Sequence, residues 1–361
     1  MIKESKIYKK LPHGGNIYKI AEITSKSLKE IIDLSSSVNP LPLPKEIIQK
    51  IKDLLFLLDK YPDPESLSLK KTISEIYEIP LNTIICGNGS TELIYLTLQA
   101  FSFSSAIILE PTFIEYERAC KINKISKIKH IFSLNKDKGL SQLENYLKKN
   151  FSNVVVFICN PNNPTGWLIE KERLFYLINK YSSVFFLVDE AFIEFGKEHS
   201  LIKEATKVKN LIIFRSLTKF YGLAGLRLGY GVSYANNIKI LERYKIPWSI
   251  NSIAQHFGIF ILKNKDFFTN SLNFFTKEKQ FFENNFRRLK INFFPSITNF
   301  YLFYLENGAE FTEYLFKKGI LIRNCYNFYG LNENYLRVSI KMRKENEIFF
   351  KELENWLKAS L

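Results

Sequence analysis

The chain has 361 residues, of which 46% are hydrophobic and 15% aromatic, and its formal net charge is +15. This length and apolar content suffice for a large core and favour one large domain with a smaller one. No apolar run approaches the roughly 18 residues of a membrane span, the charged start shows no secretory signal, and the scattered lysines match no nucleic-acid recognition motif. We therefore predict a cytoplasmic protein that binds neither membrane nor nucleic acid.

Charge and cysteine spacing narrow the class of ligand. A positive field draws in anionic small molecules, which suits a phosphorylated substrate. The four cysteines lie far apart and lack the spacing of metal ligands. Reduced thiols and no metal site are predicted.

Residues 41–290 show the pattern of a large α/β domain. Apolar residues between Lys45 and Lys60 recur at helical spacing. Beyond them, short apolar runs alternate with helix-like stretches, which indicates a mostly parallel central sheet flanked by crossover helices. The runs are Ile84–Cys86, Ala106–Leu109, Val154–Cys159, Val184–Val188 and Leu211–Phe214.

Residues 291–361 change in character. Strand-like segments at Asn299–Leu305 and Tyr335–Ile340 stand between helix-like stretches. This mixture predicts a smaller α+β domain at the C-terminal end of the sequence.

Polar or glycine-rich segments follow each of the five apolar runs. In a parallel sheet the carboxyl ends of the strands meet at one edge, and ligands bind outside that edge. The sequence therefore predicts one site built from five loops: Gly87–Thr91, Pro111–Phe113, Asn160–Gly166, Asp189 and Lys219.

Lys219 has the neighbours that a Schiff-base lysine needs. It follows a buried-strand pattern, with hydroxyls at Ser216 and Thr218 and a guanidinium at Arg227. Those groups suit a carbonyl compound that carries a phosphate. The alternative is an ordinary surface lysine in a loop.

Two further segments allow a functional and a structural reading. Gly89, Ser90 and Thr91 open a helix after a strand, which suits an anion site or a simple helix cap. Asp189 ends an apolar strand, where a buried carboxylate requires a cationic partner. That partner is either a protonated pyridine nitrogen or a local lysine.

Asn163 and Arg337 are candidate ligand-binding residues. Asn163 lies between two prolines, so its amide is held either toward a ligand or within a plain turn. Arg337 alternates with apolar neighbours on a strand. Its guanidinium therefore needs an anionic partner, which is either a ligand or a structural carboxylate.

Taken together, these segments resemble the fold-type I enzymes that use pyridoxal phosphate, in the branch of histidinol-phosphate aminotransferase and threonine-phosphate decarboxylase. The resemblance rests on Arg215–Tyr221, Asn160–Gly166 and Tyr61–Asp63 and runs from about His13 to Arg337. It implies pyridoxal phosphate as cofactor and a homodimer with composite active sites. The implied roles are Lys219 as the Schiff-base lysine, Asp189 at the pyridinium nitrogen, Asn163 at the ring hydroxyl and Phe113 stacked on the ring. The implied phosphate ligands are Gly89, Ser90, Thr91, Ser216, Arg227 and, from the neighbouring subunit, Tyr61.

Three features are similar to the decarboxylases within that branch. His13-Gly14-Gly15-Asn16 resembles the decarboxylase segment that folds over the substrate, so residues 1–40 are expected to form an arm over the active site. Asn16 as a plain helix cap is the alternative. Phe192 replaces a tyrosine typical of the aminotransferases. Lys245–Asn251 is similar to the Pro-Trp-Ser-Val-Asn segment of the decarboxylases, and Arg323 is implied as a ligand of the substrate phosphate.

The resemblance implies decarboxylation of L-threonine O-3-phosphate for cobalamin biosynthesis, with L-serine O-phosphate also open as a substrate. The substrate-binding set is expected to be His13, Gly14, Asn16, Asn163, Arg323 and Arg337. Ser37 departs from the asparagine usual in the decarboxylases, so the accepted side chain is uncertain. Transamination of histidinol phosphate is the alternative activity.

Overall fold

A computed structural model of the chain describes residues 7–149 and 151–359. Thirteen α-helices lie in these ranges, connected by loops and short 3-10 turns. The helices are α1 Ile17–Thr24, α2 Lys45–Lys52, α3 Leu67–Tyr77, α4 Gly89–Phe101, α5 Glu115–Ile122, α6 Lys136–Leu147, α7 Lys171–Lys180, α8 Ile202–Ala205, α9 Ala235–Tyr244, α10 Ser252–Lys263, α11 Lys265–Arg288, α12 Gly308–Lys317 and α13 Arg343–Ala359. None of them is both long and apolar enough to cross a membrane.

The strands of the described ranges form three sheets. They are β1 Ile32–Asp33, β2 Ile84–Gly87, β3 Ser105–Glu110, β4 Lys127–Phe132, β5 Val154–Cys159, β6 Phe185–Asp189, β7 Leu211–Ser216, β8 Gly229–Ser233, β9 Asn292–Phe293, β10 Phe300–Tyr304, β11 Ile320–Leu321, β12 Arg323–Asn324 and β13 Tyr335–Ser339. The largest sheet has the order β2-β8-β7-β6-β5-β3-β4, a second has the order β12-β13-β10-β9, and β1 pairs with β11.

The central sheet is mostly parallel, which confirms the predicted fold class. Strand β8 pairs antiparallel with both β2 and β7, and the remaining pairings are parallel. Strands β5 and β7 are buried along their whole length, because apolar clusters cover both faces of the sheet. The carboxyl ends of β2, β3, β5, β6 and β7 therefore meet at one edge, where their loops converge.

The second sheet lies in the C-terminal part of the chain. Its strands pair antiparallel and pack with α11, α12 and α13 in an aromatic-rich core. The long helix α11 joins the two cores, since Phe267 belongs to the core of the central sheet and Phe282 to the second one. The division of the chain at residues 40 and 290 stays a prediction.

One helix is shorter than its sequence pattern predicts. The helical spacing runs from Lys45 to Lys60, but α2 ends at Lys52 and a 3-10 turn follows over Leu55–Asp59. Leu58 is 72% exposed, and Leu55 and Phe56 are exposed as well. These apolar side chains lack the packing that would extend the helix, because tertiary contacts rather than periodicity supply most helical stability.

Candidate active site

A cavity of about 350 Å³ opens at the carboxyl edge of the central sheet. Twelve of the predicted site residues line it. They are His13, Gly14, Ser90, Thr91, Phe113, Asn163, Asp189, Ser216, Lys219, Arg227, Arg323 and Arg337. The loops after β2, β3, β5, β6 and β7 thus contribute to one cavity, as the sequence predicts.

Lys219 follows β7 and lies in the wall of the cavity. Burial lowers the pKa of its amine to about 8, and the positive charges of Arg227 and Arg337 act in the same direction. A lysine in such surroundings exposes a neutral, nucleophilic amine close to physiological pH. Lys219 is therefore not the solvated surface lysine that the sequence allowed as the alternative.

Asp189 ends β6 on the wall of the same cavity, and only 3% of the residue is exposed. The Tyr116 hydroxyl donates to its Oδ2 at 2.8 Å, and the backbone N–H of Ala191 donates to Oδ1 at 3.0 Å. Burial nevertheless raises the pKa of this carboxyl to about 6. The carboxylate therefore requires a cationic partner, and a protonated ring nitrogen in the cavity would supply one.

A small polar cradle is formed by the start of α4, by Ser216 and Thr218 at and just after the end of β7, and by Arg227. Gly89 has a φ of +79°, and a Cβ there would come within 2.6 Å of Arg227 Nη2. Ser90 and Thr91 follow it in the first turn of the helix, whose N–H groups and dipole favour an anion. Across the cradle the hydroxyls of Ser216 and Thr218 are 2.7 Å apart.

These groups fit the cofactor that the sequence resemblance implies. The cradle offers a guanidinium, hydroxyls and helix-start amides to a phosphate. Asp189 could hold a protonated ring nitrogen and Lys219 could bond to an aldehyde carbon. Phe113, which packs edge-on against Tyr116 at 5.7 Å between ring centroids, offers an aromatic face to a flat ring. The donor set matches pyridoxal phosphate.

Arg337 on β13 reaches the cavity from the second sheet. Its Nη1 donates to Asn163 Oδ1, and its Nη2 donates to the carbonyl of Ser35 at 2.7 Å. Both acceptors are uncharged, and Nε is buried with no partner among the described residues. These contacts of the Arg337 guanidinium include no structural carboxylate, which was the alternative partner. Its positive charge is therefore available to an anionic ligand.

Arg323 on β12 lies under the segment that precedes His13. Its guanidinium donates to the carbonyls of Leu11 and Pro12 at 3.1 and 2.7 Å and to Asn327 Oδ1 at 2.5 Å. The buried arginine thus fastens residues 11 and 12 to the second sheet while it also lines the cavity. Every one of these acceptors is uncharged.

Two glycines allow the segment around His13 to lie against the chain near Ser35. A Cβ on Gly14 would meet the carbonyl oxygen of Ser35 at 2.3 Å, so only glycine fits at this approach. The backbone N–H of Gly15 donates to Ser35 Oγ at 2.8 Å. His13 and Gly14 are thereby held on the cavity wall.

A cluster of charged residues that the sequence reading missed lies beside His13. The Nε2 atom of His13 is 2.9 Å from Glu115 Oε1, and Arg118 Nη1 is 3.4 Å from the same carboxylate. Tyr95 donates its hydroxyl to Glu115 Oε2 at 2.6 Å. Glu115 and Arg118 both line the cavity, and their spacing on one helix turn after Phe113 is the signal that could have found them.

Three predicted site residues are not among those that line this cavity: Gly89, which lies in the cradle at the start of α4, Asn16 and Tyr61. The Asn16 side chain accepts from the N–H of Lys19 at 3.1 Å and caps α1; Asn16 lines a smaller neighbouring cavity with His13 and Arg323. Tyr61 is 83% exposed and packs on Trp248 at 5.1 Å between ring centroids. Asn16 therefore acts as a helix cap, which was the alternative to substrate binding. Tyr61 does not reach the cavity of its own chain.

Several known proteins are similar to this chain over most of its length. A protein of Caldanaerobacter subterraneus subsp. tengcongensis, provisionally named threonine-phosphate decarboxylase, is 34% identical over 96% of this chain and 94% of that protein. Histidinol-phosphate aminotransferase of Methanocaldococcus jannaschii is 32% identical over 94% of this chain and 93% of that protein. The crystal structure of L-threonine-O-3-phosphate decarboxylase from Porphyromonas gingivalis has a TM-score of 0.81 at 29% identity and covers 91% of this chain and 100% of that chain.

The sequence model of the family described as aminotransferase class I and II matches residues 29–352. This range includes the central sheet, the cradle, Lys219 and Arg337. The chain therefore belongs to the class I and II aminotransferase family of enzymes, whose members depend on pyridoxal phosphate.

Proposed function

We propose that this enzyme decarboxylates L-threonine O-3-phosphate to (R)-1-aminopropan-2-ol O-phosphate, a reaction that would serve cobalamin biosynthesis. The observation that carries the proposal is the position of His13. The imidazole lies on the wall of the same cavity as Arg323, close enough for the two charges to interact, and neither residue belongs to the cradle for the cofactor phosphate. A second anion-binding end suits a substrate that carries its own phosphate.

Pyridoxal phosphate, when bound, supplies an aldehyde for the substrate amine and an electron-withdrawing ring for the electron pair left at Cα. Asp189 would keep the ring nitrogen protonated, because its buried carboxylate is stabilised by a cation at that position. Lys219 would hold the cofactor covalently and later return a proton to Cα. The lowered pKa of Lys219 suits a nucleophilic amine. The raised pKa of Asp189 is that of a buried carboxyl, which a cation in the cavity would bring back to its charged form.

The anchors on the substrate would decide which bond at Cα breaks. Arg337 would hold the carboxylate, whereas His13, Arg323 and Arg118 would hold the distal phosphate. Two fixed ends leave the substrate little freedom to rotate. Decarboxylation follows if these anchors set the bond from Cα to the carboxylate perpendicular to the cofactor ring.

Phe192 adds support for the decarboxylase. It lines the cavity, is 4% exposed and packs edge-on against Phe300 at 5.0 Å between ring centroids. The aminotransferases of this branch typically carry a tyrosine here, whose hydroxyl would touch the cofactor. In this chain the Tyr116 hydroxyl donates to Asp189 instead.

Transamination of histidinol phosphate is the second candidate. Similarity favours it nearly as strongly, since the Methanocaldococcus enzyme is 32% identical over 94% of this chain. It would use the same cradle, the same lysine and the same aspartate. The two activities differ in their need for a keto acid, which only the transaminase consumes.

We also propose that the active enzyme is a homodimer. Tyr61 and its ring partner Trp248 are both exposed. Apolar side chains that neighbour them in the sequence are exposed as well, namely Leu55, Phe56, Leu58 and Ile246. Exposed apolar surface of this kind marks an interface. A second copy of the chain would cover it and would bring Tyr61 toward the cofactor phosphate of the partner.

The deciding experiment uses the purified, pyridoxal-phosphate-loaded enzyme with L-threonine O-phosphate and no keto acid. Mass spectrometry should show a product that is lighter by one carbon dioxide and retains the amine. L-Serine O-phosphate is the companion substrate, because one methyl group is worth only about 1–3 kcal/mol of discrimination. No product without a keto acid, but turnover of histidinol phosphate with 2-oxoglutarate, would replace this proposal with the aminotransferase.

A further inference from the structure

Glu115 is a buried carboxylate that lines the cavity and does not belong to the cofactor cradle. Its side chain is 7% exposed, and it contacts the His13 ring, Arg118 and the Tyr95 hydroxyl. Burial of a carboxylate costs free energy, and a carboxylate near a bound substrate phosphate would also repel that phosphate. Its presence here therefore needs an explanation. The contact of Glu115 with His13 suggests one.

The hydrogen bond fixes the protonation pattern of the imidazole. A carboxylate accepts only, so Nε2 of His13 donates to Glu115 and a neutral ring keeps Nδ1 as a bare acceptor. A bare acceptor repels the oxygens of a phosphate. His13 can donate to such a group only after Nδ1 takes a proton from water and the ring becomes an imidazolium.

The charges around the ring favour that step once a dianion arrives. Glu115 and Arg118 on α5 and Arg323 on β12 are the charged groups that act on His13. The opposite charges of Glu115 and Arg118 cancel each other. Arg323 donates only to uncharged acceptors, so its positive charge is not neutralised by these contacts. A phosphate dianion adds two negative charges, so one further positive charge on His13 would balance the site.

Without a ligand the ring stays neutral near pH 7.5. Burial lowers the pKa of His13 below its usual 6.5, against the opposing attraction of Glu115. A second negative group next to the ring reverses this balance, because a nearby anion favours the charged form.

We propose that Glu115 is a positioning residue that makes His13 take up one proton when the phosphate of the substrate enters the cavity. The proposal rests on the proposed function only in that the substrate carries a phosphate. It predicts that binding is linked to protons: affinity falls as the pH rises through the range in which the bound imidazolium loses its proton.

The test is calorimetry of propyl phosphate binding to the pyridoxal-phosphate-loaded enzyme at pH 7.5, in two buffers of different ionisation enthalpy. Propyl phosphate has no amine and cannot react with the cofactor. A phosphate monoester, whose second pKa is about 6, is almost fully dianionic at this pH. The difference between the buffers therefore measures protons taken up by the protein.

We expect the wild-type enzyme to take up close to one proton on binding and Glu115→Gln close to none. His13→Gln, which keeps a donor but cannot gain a proton, should behave like Glu115→Gln. His13 is partly exposed, so this variant carries the test if Glu115→Gln does not fold. Glu117→Gln is the matched control on the same helix, where the carboxylate pairs with Lys121 outside the cavity, and it should match the wild type.

Equal proton uptake in the wild type and in both variants would overturn the proposal, because Glu115 would then only fasten the arm. Failure of propyl phosphate to bind the wild type would overturn it as well. Proton-linked binding in an enzyme that releases no carbon dioxide from L-threonine O-phosphate would leave this inference standing and reject the decarboxylase instead.

Discussion

The two ends of the cavity are assembled in different ways. At the cofactor end, Asp189 and Ser216 are the last residues of two strands of one sheet, and Lys219 follows the second strand by a few residues. At the far end, the functional groups come from an N-terminal segment, from α5 and from β12, and Arg323 is bonded to a carbonyl 312 positions away. The first end is built into one layer of the fold, whereas the second depends on segments that must meet.

This difference separates two kinds of function. The cofactor end has rigid supports, which suits a group that stays bound through every turnover. The far end is held by the docking of residues 11–15 through hydrogen bonds to Arg323 and Ser35. Substitutions at the cofactor end should therefore abolish chemistry, and those at the far end should alter substrate binding.

Replacement of Lys219 should have the largest effect. Lys219→Ala removes the only amine that we place at the cofactor carbonyl, so turnover should fall by at least roughly 10³-fold. Borohydride treatment followed by mass spectrometry should find a covalent cofactor adduct on the wild type and none on the variant. Lys341→Ala is the control, because Lys341 is a second buried lysine near Lys219 and should leave the adduct intact. Turnover by Lys219→Ala close to that of the wild type would contradict the assignment.

The buried charge of Asp189 should appear as a pH-dependent stability of the cofactor-free protein. Its pKa is raised from 3.8 to about 6, so its contribution to folding is complete below about pH 4 and is lost as the pH rises through 6. The loss amounts to roughly 3 kcal/mol in the free energy of unfolding. Urea unfolding at pH 4.5 and pH 7.5 should show roughly 2 kcal/mol of it, because about 1 kcal/mol is already lost at pH 4.5.

Asp189→Asn serves as the reference for that experiment, because its side chain stays neutral. The stability of the wild type relative to this variant should decline between the two pH values, and added pyridoxal phosphate should reverse the decline. A difference that does not change with pH would mean that the carboxylate has a partner within the protein.

The cofactor end could be predicted from sequence because each of its residues adjoins a continuous apolar run. Val154–Cys159 and Leu211–Ser216 are buried throughout, so their ends are clear in the sequence. Strand β4 was missed since it is half exposed and rich in lysine. Strand β8 was missed because glycines occupy two of its five positions, which removes the usual β-branched pattern.

The far end could not be predicted because it depends on contacts between distant segments. Nothing in the local sequence pairs His13 with Glu115. The same limit applies to one contact at the cofactor end, between Tyr116 and Asp189, which are 73 positions apart. The assignment of Arg323 and His13 came from resemblance to relatives. The role of Asn16 followed local chemistry instead, since an asparagine before a helix caps it.

Arg337 connects the two ends and should show an intermediate effect. Arg337→Lys keeps the charge but loses the planar fork that would hold a carboxylate, so the KM for L-threonine O-phosphate should rise roughly 10- to 100-fold. Arg343→Lys is the control, because Arg343 pairs with Glu278 away from the cavity. Steady-state kinetics of the three enzymes decides the matter, and an unchanged KM in Arg337→Lys would remove this residue from the substrate site.

Phe192→Tyr should have the smallest effect and is the sharpest probe of the boundary between the two activities. Because Phe192 lines the cavity, we expect the added hydroxyl to enter that cavity without displacing a core side chain. Asp189 already accepts from Tyr116 and gains little from a second phenol. Decarboxylation should stay within about threefold of the wild type, as expected for a substitution that creates neither a cavity nor an unpaired buried charge.

Tyr116→Phe is the informative comparison for Phe192→Tyr, because it removes a hydrogen bond from the buried carboxylate of Asp189. This loss should lower the free energy of unfolding by about 1–3 kcal/mol. If Phe192→Tyr proved the more damaging of the two, Phe192 would have to touch the cofactor ring more closely than Tyr116 does, and its phenyl side chain would no longer distinguish a decarboxylase from an aminotransferase.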